Sequence, residues 1–197
     1  MKHQALLHPG LNLCSADEYT HQEAEPIVFG FWLFLMADLV LFAVLFATYT
    51  SMSQQGLAGG PAPQDIFDLR SAFIETMLLL ASSFTFGMAS LTLKYHIDSP
   101  RLLFWLLLTF VLGAGFVGME LNDFSIMAAA GAVPQRSGFL SAFYLLVATH
   151  GLHVSAGLIW MLVLLLQLRV SGRSTAVKLR FMRLALFWHM LDIVWVC

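Results

Sequence analysis

The stretch IVFGFWLFLMADLVLFAVLFATYT (residues 27–50) decides the fold class. Asp38 is the only Asp, Glu, Lys or Arg within it. At a rise of 1.5 Å per residue, a helix of this length extends about 36 Å, whereas the hydrocarbon core of a bilayer is about 30 Å thick. The stretch therefore predicts a transmembrane helix.

The rest of the chain repeats this pattern. Hydrophobic residues make up 59% of the sequence and charged residues only 11%, against about 25% charged residues in ordinary soluble domains. Four further apolar blocks follow the first, at residues 71–93, 102–121, 138–168 and 178–197. The sequence predicts an all-α membrane protein, a bundle of five transmembrane helices over residues 26–197.

Two of the connecting segments contain residues that end helices. The connector at residues 51–70 includes the run GGPAP at 59–63, and the connector at 122–137 includes Gly131 and Pro134. Because glycine and proline interrupt helices, both connectors are predicted to be loops. The last apolar block only just reaches spanning length at Cys197, so its final turn is expected either to lie shallow or to continue into further residues.

Residues 1–25 are polar, and they lack the basic and apolar regions of a signal peptide. They are therefore predicted to form a polar N-terminal arm. The arm contains His3, His8 and His21, whose irregular spacing favours solvated side chains over a metal site. Cys14 and Cys197 show no metal-ligand spacing and receive no role. Nothing in the sequence indicates nucleic-acid binding.

The distribution of basic residues predicts the orientation. With five spans, the N-terminus, second loop and fourth loop share one side of the membrane, and that side holds most of the Lys and Arg residues. Cytoplasmic loops carry an excess of these residues, so the N-terminus is expected in the cytoplasm and Cys197 near the outer, periplasmic face. The densest basic cluster consists of Arg169, Arg173, Lys178, Arg180 and Arg183. It indicates either contact with anionic phospholipid or simple topology determination.

Ionisable side chains inside the apolar blocks are the most informative feature, since a charge at mid-bilayer costs about 2.5–3.5 kcal/mol on insertion scales. A mid-depth layer contains Asp38, His150, His153, His189 and Asp192. An outer layer contains Glu75 and Glu120, which the predicted topology places at the same side of the membrane. Asp38 has no basic residue in its own helix, so it is expected to be protonated or hydrogen-bonded to another helix.

Several interpretations of the mid-depth layer remain open. His150 and His153 are three residues apart, as are His189 and Asp192, so each pair projects from one helix face. The pairs fit an interhelical hydrogen-bond network that fixes packing. They also fit a b-type haem between His150 or His153 and His189, a proton or ion relay through Asp38, or a metal site formed by both pairs.

Small residues at a spacing of four, such as Gly151 and Ser155, predict close approach between membrane helices.

Several runs of sequence resemble the haem-copper oxidase subunit III family. The two longest are HGLHV at 150–154 and FWHMLDIVW at 187–195. Others are FGFWL at 29–33 with MAD at 36–38, the segment 113–120, and RSGFLSAF at 136–143. The resemblance extends from Pro26 onward and is closest to the branch of the family found in cytochrome o (bo-type) ubiquinol oxidases. That branch has five spans, whereas the cytochrome c oxidase branch typically has seven. The polar arm has no firm counterpart in the resemblance.

The resemblance implies a non-catalytic helper. In this family the haems, the copper and the quinol site belong to other subunits, and subunit III packs against subunit I, binds phospholipid and helps the complex hold together. Such a complex oxidises ubiquinol, reduces O₂ to water and translocates protons across the bacterial plasma (inner) membrane. The chain itself is then expected to have no catalytic residue, cofactor or metal. The alternatives are an accessory subunit of a nitric oxide reductase and a membrane anchor that holds a b-type haem.

Overall fold

The computed structural model describes residues 18–55, 69–95, 99–171 and 174–197. Five long helices and one short 3-10 turn, Pro134–Arg136, make up almost all of this part of the chain. The helices are α1 (Glu18–Gln55), α2 (Leu69–Lys94), α3 (Ser99–Ala129), α4 (Gly138–Ser171) and α5 (Thr175–Val196). The described residues form no β-strand. The predicted all-α class is confirmed.

Four of the helices are long and apolar enough to cross a membrane: Glu25–Gln54, Leu69–Lys94, Pro100–Ala129 and Gly138–Val170. Helix α5 has the necessary length, about 33 Å at 1.5 Å per residue. It is less apolar, because it contains Lys178, Arg180, Arg183 and Asp192. The length and composition of four helices therefore support the membrane-protein class, and the fifth span remains a prediction.

Helix α3 continues beyond its predicted end. Residues 122–129 are helical, although they fall in the first half of a predicted loop. The segment NDFSIMAA contains neither glycine nor proline, so nothing in it interrupts the helix. The helix ends at Gly131, whose φ of 75° lies in the left-handed region. The amides of Gly131 and Ala132 donate to the carbonyls of Ala128 and Met127, each at 3.0 Å, which is the Schellman pattern of helix termination.

The start of α1 also differs from the predicted boundaries. Residues 18–25, assigned to the polar arm, are helical and continuous with the first apolar block. The remainder of the arm, with His3, His8 and Cys14, lies outside the described residues, as do the GGPAP run and Arg173. The side chain of His21 lies outside them too.

Helices α4 and α5 form the centre of the bundle. Helix α4 packs against α1, α3 and α5, and α5 packs against α1, α2 and α4. Helices α2 and α3 pack against each other along their length. The less apolar helix α5 is therefore surrounded by helices that are long and apolar enough to span a membrane.

The indole of Trp188 on α5, only 1% exposed, joins this centre to two further helices. A Cβ at Gly113 of α3 would lie 2.9 Å from Cη2 of this indole, and a Cβ at Gly157 of α4 would lie 3.1 Å from Cζ3. The indole Nε1 donates a hydrogen bond to Oγ of Ser82 on α2, at 3.2 Å. The two glycines make room for the ring, and Ser82 satisfies its one polar atom.

Much of the apolar surface lies outside the bundle. On α1, Phe29, Val40 and Val44 each have more than half of their surface exposed. Exposed apolar surface of this extent marks contact with lipid or with another protein.

Candidate functional site: buried polar groups between the helices

Asp38 of α1 faces His153 of α4. The ring Nδ1 of His153 donates to the carbonyl oxygen of Thr149 at 2.7 Å, one turn earlier in the same helix. That bond turns Nε2 toward Oδ2 of Asp38, at a distance of 3.7 Å. Phe42, which is 1% exposed, covers the ring with a centroid separation of 5.3 Å. The pair connects α1 to the centre of the bundle.

His150 is held by the backbone of α5. Its Nε2 donates to the carbonyl oxygen of Leu191 at 3.3 Å, and the residue is only 3% exposed. Phe116 meets the ring edge-on at 5.7 Å, and Trp195 lies 5.0 Å away. To bind a metal through Nε2, His150 would have to give up its bond to α5. The arrangement therefore favours a packing role.

His189 of α5 points to α2. Its Nδ1 lies 2.8 Å from Oγ of Ser83 and 3.8 Å from Oδ2 of Asp192 in the next turn. Asp192 itself is 7% exposed. This contact joins α5 to α2, as the Trp188 indole does one residue earlier.

The two histidine pairs thus have different partners. The α4 histidines contact α1 and the backbone of α5, whereas His189 contacts α2. Among the described residues, no group of three or more His, Cys, Asp and Glu side chains is arranged to hold a metal ion. The set His150, His153, His189 and Asp192 is not brought together as four ligands. What the geometry provides is a series of polar contacts that link neighbouring helices.

Glu75 of α2 and Glu120 of α3 line one cavity of about 440 Å³. They are 5% and 4% exposed. The carboxylate of Glu120 lies against Gly151 of α4, where a Cβ would be 2.5 Å from each of its oxygens. Because Gly151 has no side chain, the Glu120 carboxylate fits between α3 and α4.

Sequence reasoning missed the hydroxyl partners in this network. Ser71 donates to Oδ2 of Asp123 at 2.6 Å, at the mouth of the same cavity. Oγ of Ser82 accepts the hydrogen bond of the Trp188 indole, and Oγ of Ser83 is hydrogen-bonded to Nδ1 of His189. The available signal was the pair Ser82 and Ser83, two adjacent polar residues in an apolar block, which helical geometry directs to different faces.

The basic cluster is not uniformly at the surface. Arg169 and Arg180 are exposed, but Lys178 is only 6% exposed. Nε of Arg183 is buried without a hydrogen-bond partner among the described residues. Two of the predicted lipid-contact residues thus remain accessible to head groups in the described bundle.

Comparison with known proteins identifies the family to which this bundle belongs. Residues 14–197 match the family described as Cytochrome c oxidase subunit III. The chain belongs to the cytochrome c oxidase subunit III family. The match begins at residue 14, so the family pattern extends into the second half of the predicted polar arm.

Relatives within the subunit III family resemble the chain over most of their length. It is 50% identical over 177 residues to cytochrome bo(3) ubiquinol oxidase subunit 3 of Pseudomonas putida, covering 90% of this chain and 84% of that protein. The protein of the same name from Pseudomonas aeruginosa is 49% identical over 180 residues, covering 91% and 85%. Quinol oxidase subunit 3 of Bacillus subtilis is 38% identical over 179 residues, covering 91% and 87%. The resemblance read from the sequence is confirmed.

Proposed function

We propose that this chain is the accessory subunit III of a bo-type ubiquinol oxidase, a complex that oxidises ubiquinol, reduces O₂ to water and pumps protons. One observation carries the proposal: half of the aligned residues are identical to a subunit of that name, over 84% of that subunit's length. The chain's part in the complex is structural, and catalysis belongs to other subunits.

The partners are oxidase subunit I and the other subunits of the complex. Support comes from the exposed apolar side chains of α1, such as Phe29 and Val44, which can pack against the helices of a neighbouring subunit. No role in nucleic-acid binding is proposed.

The proposal includes no haem, copper or quinol site on this chain. Its support is the state of the imidazoles in the described bundle: His150 is bonded to the α5 backbone, and His153 is placed between Thr149 and Asp38. A haem bound through Nε2 of His150 would require this ring to leave the Leu191 carbonyl.

The proposed placement is a five-span bundle in the bacterial plasma membrane, with a cytoplasmic N-terminus and an outer C-terminus. Four helices have the length and composition of spans. Support for α5 as the fifth is its position, since it packs against α1, α2 and α4 and its buried residues include Phe181, Trp188 and Leu191. A helix so enclosed lies at the same depth as its neighbours.

The proposed task of the buried polar residues is to hold the bundle in register. Asp38, Glu75, Glu120, His150, His153, His189 and Asp192 make up this set, and each is mostly buried except His189. The exposed basic residues Arg169 and Arg180 are proposed to contact anionic phospholipid.

Copurification tests the proposal. The chain, tagged and extracted in mild detergent, should bring with it a haem- and copper-bearing partner whose preparation consumes O₂ with ubiquinol as donor. Removal of the chain should leave the haem spectrum of the remaining complex largely unchanged. A Soret band from the chain purified alone would indicate a haem anchor instead. Nitric oxide reduction by the copurified complex, without ubiquinol oxidase activity, would indicate an accessory subunit of a nitric oxide reductase.

A further inference from the structure

The cavity between the first turns of α2 and the last turns of α3 has no ligand in the proposal above, which gives Glu75 and Glu120 only a part in packing. We propose that it binds a ligand with a primary ammonium group, held by the carboxylates of Glu75 and Glu120. The inference rests on the cavity and its wall, and it does not depend on which oxidase the chain serves.

The carboxylates are buried without donors. Oε1 of Glu75 and both oxygens of Glu120 are buried and have no hydrogen-bond partner among the described residues. By contrast, Asp123 at the same cavity accepts a hydrogen bond from Ser71. A buried polar atom without a partner costs free energy, and buried polar groups in proteins are overwhelmingly hydrogen-bonded. Donors supplied by a molecule in the cavity would remove this cost.

The charge of the wall selects a cation. Of the described residues that line the cavity, three are acidic, namely Glu75, Glu120 and Asp123, and none is Lys, Arg or His. Two polar neutral side chains, Ser71 and Asn122, complete the polar part of the wall. An ammonium group supplies both the positive charge and up to three N–H donors.

The size and the remaining wall favour an organic cation over a metal ion. The cavity measures about 440 Å³, within the range of about 300–1,000 Å³ found for small-molecule sites. The described acidic residues do not form a group arranged to hold a metal. Phe124, Ile126, Met127, Phe143, Val147 and Trp195 form an apolar side of the cavity. In a ligand with an ammonium group and an aliphatic portion, the ammonium group can contact the acidic side of the cavity and the aliphatic portion can contact the apolar side.

The depth of the site fits the membrane interface. Glu75 lies six residues from the first residue of α2, or about 9 Å along the helix. Glu120 lies nine residues from the last residue of α3, or about 14 Å. An ammonium group at this depth has two possible sources: the ethanolamine head group of a membrane lipid, and a free aliphatic polyamine. The chemistry of recognition is the same for both.

The first experiment measures lipid retention. The full chain, with the subunits that accompany it, is placed in nanodiscs of phosphatidylglycerol containing either phosphatidylethanolamine or phosphatidylcholine, and retained lipid is counted by native mass spectrometry. The ethanolamine lipid should be retained at least about tenfold better, because one charge-assisted hydrogen bond contributes about 1.5–3 kcal/mol and 1.4 kcal/mol is tenfold. The choline head group has no N–H donor. Glu75→Gln/Glu120→Gln should abolish the preference, whereas Asp38→Asn, which removes an intramembrane carboxyl away from the cavity, should keep it.

The second experiment distinguishes the free amine. In nanodiscs of phosphatidylglycerol alone, spermidine should raise the Tm of the wild type and not that of the double variant if a polyamine is the ligand. If the double variant does not fold, Glu120→Gln alone and the lipid comparison in the wild type carry the test. Equal retention of both lipids together with no effect of spermidine would overturn the proposal, and would mean that the carboxyls are satisfied by protons and water alone. Copurification with an oxidase is scored separately, so failure here leaves the proposed function standing.

Discussion

The imidazole Nε2 of His153 lies 3.7 Å from the carboxylate Oδ2 of Asp38, across the boundary between α4 and α1. This contact and the covering ring of Phe42 form the polar connection between α1 and the rest of the bundle. Because α1 otherwise contributes much exposed apolar surface, we expect the pair to help orient α1.

Asp38→Asn should assemble with its partners as the wild type does, because the amide keeps a polar group of the same size facing the imidazole. Asp38→Leu should reduce assembly, because it leaves His153 without its partner. A double-mutant cycle with His153→Leu, read from thermal unfolding, should give a coupling energy of about 0.6 kcal/mol, the average for interhelical polar contacts in a membrane protein, and no more than about 1.7 kcal/mol. Strictly additive effects of the two substitutions would show that the contact is merely tolerated.

Gly113→Ala should destabilise the bundle by about 1–3 kcal/mol, the usual cost of forcing extra volume into a packed core. The new methyl would lie 2.9 Å from the Trp188 ring. Gly118→Ala, in the same helix with no atom within 4 Å of the new Cβ, is the matched control and should be neutral or stabilising by up to about 1 kcal/mol. Thermal unfolding in detergent compares the two. Restoration of stability by Trp188→Phe in the Gly113→Ala background would identify the ring as the cause.

Ser82→Ala should lower the free energy of unfolding by about 1–3 kcal/mol, because it leaves the buried indole N–H of Trp188 without an acceptor. Ser90→Ala removes a hydroxyl on the same helix that bonds only its own backbone, at the carbonyl of Phe86, and should have a smaller effect. The two variants are compared by chemical or thermal unfolding. Equal losses would mean that the indole bond contributes nothing beyond helix packing.

The two native cysteines allow a direct test of the five-span topology. In a Cys14→Ser variant, Cys197 is the remaining cysteine, and it is exposed. A membrane-impermeant maleimide should label it from the outer face of intact spheroplasts. In a Cys197→Ser variant, labelling of Cys14 should require permeabilised membranes. Labelling of both cysteines from the same side would show that α5 does not cross.

Neutralising the exposed basic residues Arg169 and Arg180 with glutamine should weaken retention of anionic phospholipid. At about 1 kcal/mol per basic residue, the double variant should lose roughly thirtyfold in affinity, as read by native mass spectrometry. Arg136→Gln, a basic residue at the opposite end of α4, is the control and should retain the lipid. If the double variant instead changes only the orientation of the chain, these residues determine topology.

The amino-acid pattern was sufficient to predict helices α1 to α4, because each contains an apolar block of at least the length that a bilayer requires, about 20 residues. It also singled out the residues that carry the polar contacts, since ionisable groups are rare in such blocks. It could not assign their partners. The bond from His150 to the Leu191 carbonyl depends on the axial register of α4 against α5, and a backbone acceptor has no signature in the sequence.

The predicted end of α3 was wrong for a physical reason. Residues 122–129 were assigned to a loop together with Gly131 and Pro134, yet nothing before Gly131 interrupts the helix, which therefore continues to that residue. The weak span signal of α5 arises from Lys178, Arg180 and Arg183 near its start, although the tertiary packing places that helix in the centre of the bundle.

The wedge of Trp188 between Gly113 and Gly157 also constrains how this sequence can diverge. A methyl group gained at either glycine would collide with the indole, and loss of the indole would leave a void that neither glycine can fill. Neutral drift is thus blocked at each position taken singly and permitted only through paired replacements. Among descendants of this gene, replacements at these three positions should therefore be correlated.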